Sequence, residues 1–508
     1  MQLGIVSEAN CFLDAEFNRA VDRWSKTNSL EDAEELIGLA LLIDRLDHPQ
    51  AERAGLALIE RVEDDDARLQ FVRRVLNRTS DLENTTLPVE EAHIRVEIAK
   101  RKRLLDLNPR DALRLADSAL LYANLGQRRS AFSLLKRALI LRPDDRYVLR
   151  AASRFFVHIG EPERALHFLN ASRATRSDPW LKAALFAVQA ASGVASAGWR
   201  KAKTLLSDAS FSSRDLSELA VQMGSMEYDG GSRKQAIRML RQGAISPTEN
   251  AIAQIGWVAR HRTGLKHADI NVDISLSKEA SAYTAYEKSQ WASAIAHCSD
   301  WRKIEPFSAR PAILATFIGC VSAEGLEEAA TVGAYGLMAN PKHKTLLNNL
   351  AAVRALQGRL EDARSLVARA QASPGDDDDD VIVTATNGLI NFREGKYEEG
   401  GARYIEAIEK ALQNKNRPLA FRAIYYLSRE VSRVDPDHGQ KLLDKVDCDL
   451  ELASKKGLAI PKDIEVIRGQ VDKDRKMVAG DAIAPSSALS VRWDDVIGHA
   501  GTRLLEDD

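Results

Sequence analysis

The spacing of two prolines constrains this chain more than any other feature. Pro109 and Pro143 stand 34 residues apart. Between them lie a helix-like segment to Leu125, a break at Gly126 and a second helix-like segment from Ser130 to Leu141. A helical hairpin cannot bury its own apolar face, so hairpins at a fixed interval predict a stack in which each covers the next. Small and larger residues test that period. Ala131 with Leu135, Ala165 with Leu169, Ala202 with Leu206, Ala236 with Leu240, Ala294 with Cys298 and Ala363 with Val367 each lie four positions apart; Ala329 has Gly333 in the second place. That separation puts both members on one helix face. Ala131 and Ala165, Ala202 and Ala236, and Ala329 and Ala363 are each 34 residues apart, as are Gly126 and Gly160. Two residue types keep one register.

Taken in order, residues 1–90 read as a divergent N-terminal helical cap. Leu36, Leu39, Ala40 and Ile43, then Ala54, Leu58 and Ile59, recur at helical spacing. Leu69, Val72, Val75 and Leu76 suggest a further helix, followed by a loop from Thr79 to Pro88. A first repeat block covers 91–263, with a lengthened loop near Ser192 to Gly198. Ala236 and Ala294 are 58 residues apart, short of two periods, so 264–277 reads as an irregular break. A second block covers 278–413 and contains five consecutive aspartates, Asp376 to Asp380, read as a mobile acidic connector. Divergent hairpins are expected over 414–475. A peripheral tail over 476–508 carries one amphipathic stretch around Trp493 to Leu505.

The order Ala119, Tyr122, Gly126, Ala131, Ala138 within the 34-residue unit resembles a tetratricopeptide repeat (TPR), and the repeated register extends the resemblance over about two thirds of the chain. The resemblance implies an all-α, right-handed superhelical solenoid of TPR-like helical hairpins in two blocks. It also implies that the first helix of each hairpin lines a concave binding wall. On that wall it places Leu113, Asp117, Leu120 and Asn124, then Tyr147, Ala151, Arg154 and His158, and later Thr345, Asn349 and Ala352. In TPR domains that grip extended peptides, an Asn at the position of Asn349 commonly bonds the ligand backbone, since a carboxamide both donates and accepts. Arg150, Arg154 and His158 follow at i, i+4 and i+8 and so share a helix face. Such a strip suits an acidic peptide, but a solvated face paired with neighbouring carboxylates is the favoured expectation.

Composition narrows the function. The 508 residues carry a formal net charge of −2, which argues against nucleic-acid binding by a bulk field. Lys100 to Arg103 is basic, but four consecutive helical residues splay to different sides. The uncharged run Ala183 to Trp199 is shorter than the roughly 20 apolar residues a membrane span needs. Met1 to Glu16 lacks the pattern of a secretory signal, so a cytoplasmic protein is expected. Cys11, Cys298, Cys320 and Cys448 have no paired spacing, which predicts neither disulfide nor zinc. Phosphate-loop, metalloprotease and nucleophile-elbow motifs are absent, and His261 and His267 are the nearest pair of histidines. The expectation is a non-enzymatic scaffold without cofactor or metal. It binds a partner protein or peptide through Asn124, Tyr147, Arg150, Arg154, His158 and Asn349. The second reading is a regulatory or accessory subunit of a signalling or defence complex whose enzyme is another chain. A third, an enzyme with its site at 264–277 or in the tail, lacks catalytic spacing. Sequence alone specifies neither the partner nor the oligomeric state.

Overall fold

A computed structural model describes residues 2–43, 45–61, 89–194, 198–261, 270–455 and 464–471. Among these residues the secondary structure is helical throughout, with no strand. The expected helix around Leu69 to Leu76, the loop from Thr79 to Pro88 and the stretch from Trp493 to Leu505 lie outside the described residues. The chain divides into two compact units, Met1–Ala280 and Ser281–Asp508.

In the first unit, α1 (Gln2–Thr27), α2 (Leu30–Leu42), α3 (Pro49–Arg61) and α4 (Val89–Leu107) precede the regular hairpins. These are α5 (Ala112–Asn124) with α6 (Arg128–Leu141), α7 (Arg146–His158) with α8 (Pro162–Ala171), α9 (Pro179–Ala191) with α10 (Trp199–Leu206), and α11 (Ser213–Asp229) with α12 (Arg233–Gly243). Helix α13 (Glu249–His261) follows, and a short 3-10 turn at Ile274–Leu276 leads into α14 (Lys278–Glu287). In the second unit the hairpins continue from α14 with α15 (Trp291–Ile304). They are α16 (Arg310–Ser322) with α17 (Leu326–Ala339), α18 (Lys344–Leu356) with α19 (Leu360–Ala372), α20 (Asp377–Arg393) with α21 (Tyr397–Gln413), and α22 (Arg417–Val434) with α23 (Pro436–Lys455).

Each unit is thus a TPR-like array of stacked hairpins, and local chemistry explains why. Asp111, Asp145, Asp178 and Ser212 start the first helices of four successive hairpins, each side chain accepting from a first-turn backbone N–H. The turn inside each hairpin repeats as well. Gly126, Gly160, Gly231, Gly358 and Gly395 all have positive φ. The next residue then donates its N–H to the carbonyl five residues back, as Gln127 does to Tyr122 and Lys396 to Asn391. Ser289 (φ 56°) fills this place in the α14 and α15 hairpin, and Lys415 (φ 58°) takes the same conformation in the turn that joins α21 to α22. They keep the same bond pattern but bear a β-carbon in the left-handed region.

The small-and-large pairs form the seams. Every member, from Ala131 and Leu135 to Ala363 and Val367, is buried. The pair Ala329 and Gly333 departs from the pattern because α16 and α17 cross too closely for a side chain: a β-carbon on Gly336 would stand 2.2 Å from that of Ala312, and one on Gly333 would stand 2.6 Å from Thr316.

The aspartate run requires a correction. It is the start of α20 and no connector: Asp376 caps the helix in a reciprocal box with Asp379, and Asp377 to Asp380 form the first turn. Carboxylates there meet the positive end of the helix dipole. They also hold neighbours, Asp380 pairing with Lys344 at 2.5 Å and Asp378 accepting from Asn416 at 2.7 Å.

Candidate protein-binding surface

In the first unit the leading helices of successive hairpins, α5, α7, α9, α11 and α13, pack side by side, and a line of polar and aromatic contacts runs across them. The Tyr147 hydroxyl on α7 donates to Asp117 on α5. Also on α7, Arg150 lies over the Trp180 ring of α9, 4.9 Å from its centroid, and bonds Glu218 of α11 at 2.7 Å. Arg146 covers Trp180 as well, at 5.5 Å. Glu218 then accepts from Thr248 at 3.1 Å and from Asn250 at the start of α13 at 3.2 Å. The result is a prearranged wall in which side chains tie α5 to α7, α7 to both α9 and α11, and α11 to α13.

The residues singled out from sequence take different places on it. Tyr147 is 44% exposed, with its ring edge available although its hydroxyl is engaged. Partial burial, and then the adjacent Asp117 carboxylate, push its pKa up to about 12. Arg150 is mostly covered, held by Glu218 and Trp180. Arg154 is exposed one turn further on, and His158 is half-buried at the end of α7. Leu113, on α5, is exposed. Asn124 is only 8% exposed, and its Oδ1 has no hydrogen-bond partner among the described residues. Ala151 is buried in the packing. Trp180 and Glu218, which complete the line, were missed. Trp180 lies one period after Arg146, and that is the signal that could have found it.

Asn349 belongs to the second unit and is 8% exposed. Its backbone carbonyl accepts from the Cys320 thiol at 3.2 Å, and the Cys320 carbonyl in turn accepts from Arg429 of α22 at 2.8 Å. The wall around Asn349 is therefore occupied by the chain itself. Arg429 (4% exposed) bonds Glu430 (1% exposed) at 3.0 Å, Arg393 reaches the same carboxylate at 2.9 Å, and Tyr426 lies under the Arg429 guanidinium. The helix at 464–471 buries Ile464, Ile467 and Val471 in the same core, and its Gln470 donates to the Val321 carbonyl at 2.7 Å. This closure joins positions 109 to 149 residues apart in sequence.

Other ionisable groups serve structure. Lys100 and Arg101 pair with Glu97, Lys102 with Glu35, and Arg103 stacks over Phe12. Burial pushes the Cys298 thiol well above its ordinary range and Cys320 up to about 12, so neither is a ready nucleophile. Among the described residues no cluster of His, Cys, Asp and Glu could hold a metal ion, and no helix is long and apolar enough to cross a membrane.

No protein-family model matches the sequence, and no curated protein matches it. Among solved structures, the chain is similar to the crystal structure of yeast Tom70, at 12% identity over 82% of this chain and 93% of that one, with a TM-score of 0.30. It is also similar to a structure of Naa15/Naa10 bound to HypK-THB, at 14% identity over 92% of this chain and 80% of that one, with a TM-score of 0.22. These values are too low to carry an argument, and the TPR-like fold rests on the hairpins themselves.

Proposed function

We propose that the protein is a non-enzymatic interaction scaffold whose first unit holds a segment of a partner protein against the wall formed by α5, α7, α9, α11 and α13. The tied line from Asp117 through Tyr147, Arg150 and Trp180 to Glu218 carries this reading. A surface whose side chains are already fixed loses little freedom on binding, so its exposed aromatic and apolar groups contribute more of their contact energy to affinity. Tyr147, Leu113 and Arg154 are those exposed groups, and Tyr and Arg are the residue types that most often anchor interfaces. Asn349, being enclosed, has a smaller part in this reading than its place in the repeat implies.

The test is capture of partners on the tagged full chain, quantified by mass spectrometry, with Tyr147→Ala and Arg154→Glu as comparators. Loss of one stoichiometric partner from both variants, at unchanged melting temperature, is the expected outcome. Equal capture by the folded variants would remove the wall from the reading. If the partner lost is an enzyme, the scaffold is the accessory subunit of a larger complex, the second reading from sequence.

A further inference from the structure

A different part of the first unit carries a charge that the scaffold reading does not use. Lys182 on α9 is 6% exposed. Among the described residues it has no carboxylate and no hydrogen-bond acceptor; its Nζ lies 5.8 Å from the centroid of the Phe186 ring. The stem is covered while the ammonium opens to a cleft, and a partly desolvated ammonium with no carboxylate beside it favours the arrival of an anion. Burial, and then the neighbouring Lys201, lower the Lys182 pKa from its ordinary value.

The ammonium faces a cleft of about 510 Å³ between the end of α8 and the start of α10. Arg176, Arg200 and Lys201 line the same cleft, and none of them is ion-paired among the described residues. Thr175 lines it too, with a buried hydroxyl that has no hydrogen-bond partner among the described residues. At the mouth is Gly198, the N-cap of α10, whose φ of 89° is left-handed. Its lack of a side chain lets Lys182 come near: a β-carbon there would stand 3.2 Å from Nζ. Gly198 also offers no capping oxygen, so the first-turn N–H groups of Trp199, Arg200 and Lys201 have no intrahelical acceptor.

We infer that this cleft is a binding site for a phosphate monoester, with Lys182 as its central charge and the α10 N-terminus, Arg176, Arg200, Lys201 and Thr175 as its further donors. A dianion with several acceptor oxygens matches this donor set better than a carboxylate, which has two oxygens and one charge. The cleft exceeds a phosphate in size and leaves room for the group that bears it. That group is either a phosphorylated side chain of another protein or a free small monoester. The site stands apart from the wall between α5 and α13, and its test needs no partner.

Isothermal titration calorimetry of the full chain at matched ionic strength tests it, with inorganic phosphate, a phosphoserine peptide and AMP as probes. Phosphate is expected to bind, and one monoester to bind more tightly; which one it is identifies the source. Lys182→Met should weaken that binding by at least about tenfold, since a charge-assisted contact of this kind is worth more than one decade in affinity. Without ligand, the same variant should melt at the parent's temperature or above, because it replaces a partly desolvated charge with an apolar group of similar length. Arg200→Ala with Lys201→Ala, both at exposed positions, should fold and also bind more weakly. No heat with any probe, equal binding by Lys182→Met, or a Lys182→Met chain that is destabilised or fails to fold would each overturn the proposal.

Discussion

Both units bury paired cations, as Arg95 with Glu34 and Glu91 in the first, but two cations, one in each unit, stand in opposite situations. In the second unit Arg429 and Arg393 converge on Glu430, and the Cys320 carbonyl and the Tyr426 ring take up what remains of Arg429. In the first unit the Lys182 side chain is covered, with no counter-charge among the described residues and an open cleft before its ammonium. The contrast teaches that burial alone does not distinguish structural from functional charge. A paired network serves as a fastening, which here draws α22 and the 464–471 helix onto the end of α16.

The two polar clefts repeat this difference on a smaller scale. A cleft of about 300 Å³ in the second unit is lined by Arg364, Arg403 and Lys410. There Glu394 takes Arg364 at 3.0 Å, and Glu406 takes Arg403 at 2.7 Å and Lys410 at 2.8 Å. Its cations are spoken for within the chain.

The comparison can be broken most sharply at Glu430. Glu430→Gln leaves two buried guanidinium groups without their carboxylate and should cost about 3–5 kcal/mol, read as a lowered urea midpoint. A loss under about 1 kcal/mol would mean that the network is no fastening. Ala131→Arg places a cation in the α5 and α6 seam, where no cleft receives it. It should cost about 3 kcal/mol through overpacking and charge burial, and an unchanged melting curve would refute the assigned register.

Acid titration separates the compensated cleft from the rest. Arg364, and then Lys396, hold the Glu394 pKa down from 4.5 to about 2. Its contribution is therefore complete above pH 4.5 and is lost as pH falls from 4.5 towards about 2. In Glu394→Gln that part of the acid loss, on the order of 1 kcal/mol after solvent screening, should be missing from the pH dependence of stability. The smallest effect is expected at the left-handed turns. Ser289→Gly and Lys415→Gly should each raise stability by about 0.5 kcal/mol, the relief of left-handed strain exceeding the added entropy of the unfolded chain. A fall in melting temperature would show that these turns depend on their side chains.

Much of the fold was legible because its determinants are local and repeated. Ala131 with Leu135 and Gly126 with Gly160 each report a contact or turn made within one hairpin, so spacing alone exposes them. The aspartate run misled as a charge pattern, although Asp376 and Asp379 have the spacing of a capping box and could have marked a helix start. The proposed wall was only partly legible. Tyr147 and Arg154 are exposed on α7, whereas Asn349 is enclosed by residues that approach from far along the chain.

The sequence by itself determined the hairpins, their period and the seams between them, since helix caps, left-handed turns and small-residue crossings act over a few residues. Tertiary structure alone decided which polar groups remain available. Whether a charge finds a partner depends on side chains a hundred residues away, as Arg429 finds Cys320, or on none arriving, as at Lys182. Periodicity cannot encode that, because it repeats the wall and not what closes over it.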